Sequence, residues 1–171
     1  ENDNWAGALY TAYSTKAGFV NFNDLDYNLS YTQATPSYSA VGIWTQFYTS
    51  LNAANFAIKG ITALSPDQVS DDDKNELIAE ARCLRAWINA NIFWALGHWW
   101  GDDADPSGLL YRDEPVGLTN VEAARLTVGD SYTKLYDDLD FAIANLKDFS
   151  SSRSVSKQFA EPSCADISEV G

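Results

Sequence analysis

The segment that most narrows the choice of fold is "ELIAEARCLRAWINANIFWALGHWWGD", residues 76–102. Leu77, Ala81, Leu84, Ile88, Ile92, Ala95 and Trp99 recur at spacings of three and four, the period of one helix face, while Trp87, Phe93 and Trp94 point elsewhere. A helix apolar over most of its circumference must be buried between neighbours, so the rest of the chain has to supply further helices to cover it. Ser70 and Asp73 form a capping box at its start, where Asp71, Asp72 and Asp73 favour the positive end of the helix dipole, and Gly101 is expected to stop it.

The neighbours are readable by the same period. Ile43, Phe47, Leu51, Ala54, Ile58 and Ile61 lie on one face of an earlier helix that Gly60 and the Ser65-Pro66 pair are expected to end. Thr127 and Asp130 form a second capping box, and Tyr132, Leu135, Leu139, Ala142, Ile143 and Leu146 trace a third helix. Trp5, Leu9, Ala12 and Tyr13 suggest a shorter helix near the N-terminus. Strand-like alternation never lasts more than a few residues. The fold class is therefore all-α, antiparallel helix pairs on a TPR-like scaffold with long irregular loops.

Composition excludes several functions. Against 11 basic residues stand 24 acidic ones, a net charge of −13, which repels a phosphate backbone and an anionic membrane surface alike, so nucleic acid is not an expected partner. No apolar run approaches the roughly 20 residues of a transmembrane helix. Cys83 and Cys164 are too few for a structural zinc site and leave open whether they pair. His98 is the single histidine, and it reads more readily as a hydrogen-bonded packing residue or a cation at a helix C-terminus than as a general base. Glu80, Arg82 and Arg85 are expected to form interhelix ion pairs rather than a catalytic group. With no Met in the chain, Glu1 is not an initiator, and the expectation is an N-terminus made by processing.

The Glu-Ala-Arg, Arg-Ala, aromatic run and aromatic-Gly-Asp order of residues 76–102 resembles the signature helix of the SusD/RagB family. "IWTQFYTSLNAANFAIKGI" before it, the Pro-Val of "RDEPVGLT" and the helix "SYTKLYDDLDFAIANL" after it agree with that family in order. The resemblance covers residues 5–160, with Cys83 standing where an aromatic is usual; residues 1–160 are read as the SusD-like helical domain and 161–171 as a tail. Family members run longer, so a fragment, truncated product or degenerate copy is expected. The resemblance implies a lipid-anchored protein on the outer face of a bacterial outer membrane that captures glycans without catalysis and hands them to a TonB-dependent, SusC-like transporter. An anchored member would carry lipid on an N-terminal Cys, where this chain has Glu1.

Sugars present C–H faces and vicinal hydroxyls, which favour flat rings beside amides and carboxylates. "NFNDLDYNLSY" offers that mixture, and Asn23, Asp26, Tyr27, Asn28 and Tyr31 are the expected glycan contacts, assigned by region because no motif aligns this loop with the family. The plainer alternative is that Phe22, Tyr27 and Tyr31 pin the loop while Asn and Asp cap turns. Trp100 and Tyr111, flanking the acidic loop, form a second rank, whereas Trp87, Trp94 and Trp99 read as core. Asp103, Asp105, Ser107 and Glu114 fit calcium-loop spacing with Gly108 at the turn, although Pro106 and Pro115 oppose an EF-hand; calcium is the one cofactor the spacing raises. Asp24 and Asp26 would be the carboxylates of a carbohydrate-active enzyme, a reading ranked below glycan binding and below a TPR-like module that contacts the transporter.

Overall fold

The computed structural model describes residues 38–148, 155–157 and 160. Three helices form its frame: α1 Tyr38–Thr62, α2 Asp71–Leu96 and α3 Val128–Asn145, with no strand among the described residues. The all-α expectation holds. The short N-terminal helix expected around Trp5–Tyr13 lies outside the described residues.

Both N-caps form as the sequence dictates, although among the described residues neither Asp carboxylate makes the capping box's return bond to the cap amide. Extended backbone at Ser70 turns its hydroxyl toward the helix, where it accepts from the Asp73 amide at 3.2 Å and donates to the Asp73 carboxylate at 2.8 Å. Thr127 accepts from the Asp130 amide at 3.1 Å in the same way. Helix ends without such side-chain signals differ from expectation. α1 begins at Tyr38, five residues before Ile43, and runs through Gly60, whose missing side chain faces open space; it closes with amides of Ala63 and Leu64 bonding back to Lys59 and Ile61. α2 stops at Gly97 rather than Gly101. The Gly97 amide caps Phe93 O at 2.8 Å, and a β-carbon on Gly97 would strike the Phe93 ring and lie 2.8 Å from that carbonyl, so the chain can leave the helix there only with glycine.

α2 packs along α3. Across that contact Arg82 and Arg85 reach Asp138 and the Phe93 ring meets Tyr132, while Ala79, Cys83, Ala86 and Ala90 of α2 and Leu135, Leu139 and Ala142 of α3 are all buried. Of the sequence-based face, Ala81, Ile88, Ile92 and Ala95 are buried as expected, whereas Leu77 and Leu84 are exposed, at 42% and 43%, and Trp87, read as core, is 37% exposed. Counting apolar residues does not weigh size, and here small Ala and Cys side chains are buried where two bulkier Leu residues are not. From Arg85 to Phe93 nearly every α2 residue is buried, so the expected all-round burial holds for the C-terminal half of the helix.

One buried carboxylate ties these parts together. Asp138 of α3, 1% exposed, accepts from Arg85 Nη2 at 2.7 Å, Arg85 Nε at 2.8 Å, Arg82 Nε at 2.7 Å and the Tyr111 hydroxyl at 2.9 Å. Arg85 also donates to Asn55 Oδ1 at 3.0 Å, and the Asn55 amide donates to Arg112 O at 2.9 Å, binding the 109–116 loop to both helices. Burial pulls against the Arg85 charge, but its hydrogen bond and charge pairing with Asp138 hold the guanidinium pKa above its ordinary value. The same burial, helped by Asp138, raises the Cys83 thiol to about 11, so this free cysteine is an inert packing residue. Arg82 and Arg85 thus make the expected ion pairs. Glu80 does not, among the described residues; burial, then the charge of Glu76, raises its pKa instead.

Candidate functional site

Four backbone hydrogen bonds fasten the acidic loop that follows α2 to the loop and helix start that follow it. Gly108 N donates to Leu126 O at 3.1 Å, Leu126 N to Leu109 O at 2.7 Å, Val128 N to Asp105 O at 2.9 Å and Gly129 N to Asp103 O at 3.1 Å. Gly108 is indispensable to this contact: a β-carbon there would lie 2.6 Å from Leu126 O and press on Thr127 O and the Ser131 hydroxyl. The missing side chain at Gly129 likewise lets Asp103 settle on the first turn of α3, where a β-carbon would be 3.0 Å from Asp103 Cβ.

Where the loop meets the helix an open cleft of about 430 Å³ forms, lined by Asp103, Thr127, Gly129, Asp130, Tyr132, Thr133 and Tyr136. Tyr132 and Tyr136, one helical turn apart, lie with ring centres 6.3 Å apart and planes within 23°, a stacked pair along one wall. Tyr132 is fixed twice, by its hydroxyl donating to Trp99 O at 2.9 Å and by edge contact with the Phe93 ring at 5.2 Å. Burial, then the neighbouring Tyr136, raises its pKa, so its hydroxyl stays a donor. Thr127 and Thr133 use their hydroxyls on backbone groups. Asp103 and Asp130 do not: among the described residues their carboxylates have neither hydrogen bond nor ion pair, and both are exposed.

Of the sequence-based candidates, Asn23, Asp26, Tyr27, Asn28 and Tyr31 lie outside the described residues, as do Asp24 and Cys164. Trp100 is 55% exposed, with its ring edge-on to His98 at 4.5 Å and to Trp99 at 5.2 Å. Tyr111 is not available to a ligand in the same sense: its hydroxyl is bound to Asp138, its pKa is raised by burial and by that carboxylate, and the Arg85 and Lys134 cations face its ring.

At the residues of the calcium spacing, Asp105 Oδ1 accepts from the Ser107 amide at 2.8 Å and Oδ2 meets His98 Nδ1 at 2.6 Å, and among the described residues no group of three or more acidic, histidine or cysteine side chains gathers to hold a metal. The Ser107 amide, then the His98 ring, holds the Asp105 carboxyl below its ordinary pKa. His98 is thus hydrogen-bonded, as one of its two expected roles required, but its side chain is 40% exposed rather than packed, and it lies just beyond the helix end.

Sequence reasoning placed Tyr132 on the buried face of α3 and Asp130 in a capping box, and did not single out Tyr136. The available signal was the i, i+4 tyrosine pair beside a capping box that faces a glycine-punctuated acidic loop.

Comparison with known proteins agrees with this architecture. A SusD-like family model, described as starch-binding and associating with the outer membrane, matches residues 1–166. A SusD-like protein of Bacteroides ovatus is 30% identical over 132 residues, covering 76% of this chain and 20% of that protein. A SusD superfamily structure from Bacteroides thetaiotaomicron superposes with a TM-score of 0.72 at 18% identity, over 98% of this chain and 42% of that one. A structure determined with xylogluco-oligosaccharide gives a TM-score of 0.66 at 16% identity, over 94% and 30% respectively. The chain thus spans a fifth of the curated relative and less than half of either structure. With the family match running over residues 1–166, the chain belongs to the SusD-like family.

Proposed function

We propose that this chain is the glycan-binding, non-catalytic portion of a surface protein that takes up oligosaccharides. The observation that carries the reading is the match of residues 1–166 to a starch-binding, outer-membrane-associating family. The xylogluco-oligosaccharide held by a protein of the same fold is consistent with it. The interior is consistent with it: Asp138 and the two arginines are engaged with each other and hold helices in register. The "NFNDLDYNLSY" segment supplies rings and amides for the sugar, with Asn23, Asp26, Tyr27, Asn28 and Tyr31 as the contacts.

The same family description supports a location at the outer membrane, and no described helix is long and apolar enough to cross a bilayer. Delivery of the glycan to a TonB-dependent transporter completes the proposal. Calorimetry with neutral oligosaccharides tests the binding step. Tyr27→Ala with Tyr31→Ala should abolish the heat of binding while leaving capture by the transporter intact. Loss of capture with sugar binding unchanged would instead make this a protein-interaction module, and sugar turnover sensitive to Asp26→Asn would make it an enzyme.

A further inference from the structure

We infer that the cleft between the acidic loop and the start of α3 is a second saccharide contact, one that accepts neutral sugars and rejects uronic or sulfated ones. The inference rests on the glycan-binding reading above but uses different residues. Three observations carry it. The first is the cleft itself, an open surface depression of about 430 Å³. The second is the Tyr132–Tyr136 pair, two cleft-lining rings with planes within 23° of each other, with Tyr132 held in place by the Trp99 carbonyl and Phe93. A locked ring loses little conformational entropy when a sugar face settles on it.

The third observation is charge. Asp103 and Asp130 each present a carboxylate with no hydrogen-bond or ion-pair partner among the described residues, and no Lys or Arg lines the cleft. Lys134, one residue after Thr133, stands instead over the Tyr111 ring at 5.6 Å. A carboxylate only accepts hydrogen bonds, so the fitting ligand group is a donor, and vicinal sugar hydroxyls can donate to its two oxygens as a pair. The helix start does carry partial positive charge, about half an elementary charge, which would favour an anion. Two full negative charges outweigh it. A uronate or sulfate brought here meets like charges in a chain already at −13.

The decisive experiment titrates the chain with maltohexaose, laminarihexaose, a xyloglucan oligosaccharide and an oligogalacturonide, reading affinity by calorimetry. The same titrations are run on Tyr136→Ala, on Asp103→Asn with Asp130→Asn, and on Tyr27→Ala with Tyr31→Ala, each checked for an unchanged thermal midpoint. At least one neutral oligosaccharide should bind, with affinity falling about tenfold in Tyr136→Ala. The oligogalacturonide should not bind the native chain, and the double Asn variant should narrow the gap between neutral and anionic ligands. Should the native chain bind neutral sugar with affinity indifferent to Tyr136→Ala but lost on Tyr27→Ala with Tyr31→Ala, the cleft assignment is overturned and the glycan-binding reading survives. If no oligosaccharide binds the native chain, both fall. Equal affinity for oligogalacturonide and neutral sugars overturns the stated selectivity.

Discussion

α3 carries two aspartates in opposite conditions, little more than two turns apart. Asp138 is buried and accepts four hydrogen bonds, from Arg82, twice from Arg85 and from Tyr111. Asp130 is exposed and faces a cleft with its carboxylate unpaired among the described residues. The same side chain on the same helix thus does two jobs, and its surroundings decide which. A buried carboxylate with every acceptor site engaged has nothing left for a ligand and holds the helices in register. An exposed carboxylate with empty acceptor sites contributes little to folding and can take up hydroxyls from outside.

The sharpest way to break the comparison is at the buried end. Asp138→Asn keeps the shape but removes the charge opposite Arg85, which is only 6% exposed. An uncompensated buried guanidinium should cost about 3–5 kcal/mol, read as a lowered denaturant midpoint with little change in slope. Asp130→Asn, by contrast, should leave stability within about 0.5 kcal/mol. Equal effects in the two variants would erase the distinction between them. A smaller but still clear loss is expected for Gly108→Ala, because the new methyl is opposed by the Leu126 and Thr127 carbonyls rather than by a side-chain end that can swing away. Overpacking of this kind costs typically ~1–3 kcal/mol. It should also move Asp103 and so weaken sugar binding at the cleft. Thr127→Ala removes the cap of α3 and should cost about 1 kcal/mol, recoverable with Ser and measurable by thermal melting.

How much of this was legible in the sequence depends on how local the cause is. The N-caps at Ser70 and Thr127 are decided by residues three apart and were readable directly. Which residues of α2 are buried is decided by fit with its neighbours, so counting apolar residues included the exposed Leu77 and Leu84 and passed over the buried Ala79, Cys83, Ala86 and Ala90. Gly97 rather than Gly101 ends the helix because of what Phe93 does in space. Asp138 sits in "YDDLD", where any of the acids could pass for a solvated one; the hint was the pair Arg82 and Arg85, two cations on a buried helix that require an acid from elsewhere. The cleft depends on residues 103 and 129 meeting across a loop, which no spacing rule encodes.

A third carboxylate tests the middle of the comparison. Asp105 is neither buried nor empty: it accepts from the Ser107 amide and pairs with His98, and these contacts lower its pKa below the ordinary 3.8. The ionised form is therefore favoured by folding. Its contribution is present in full above the unfolded-state pKa and disappears as pH falls through the lower folded-state value, because the protonated acid cannot accept from both partners. Asp105→Asn should accordingly lower the thermal midpoint slightly at neutral pH, and the gap from the native chain should close on acidification below about pH 4. Its exposure makes this the smallest effect of the series and one that salt reduces. If the gap widened in acid, the Ser107 and His98 contacts would be penalising the ionised carboxylate, and Asp105 would belong with the open acids of the cleft rather than between them and Asp138.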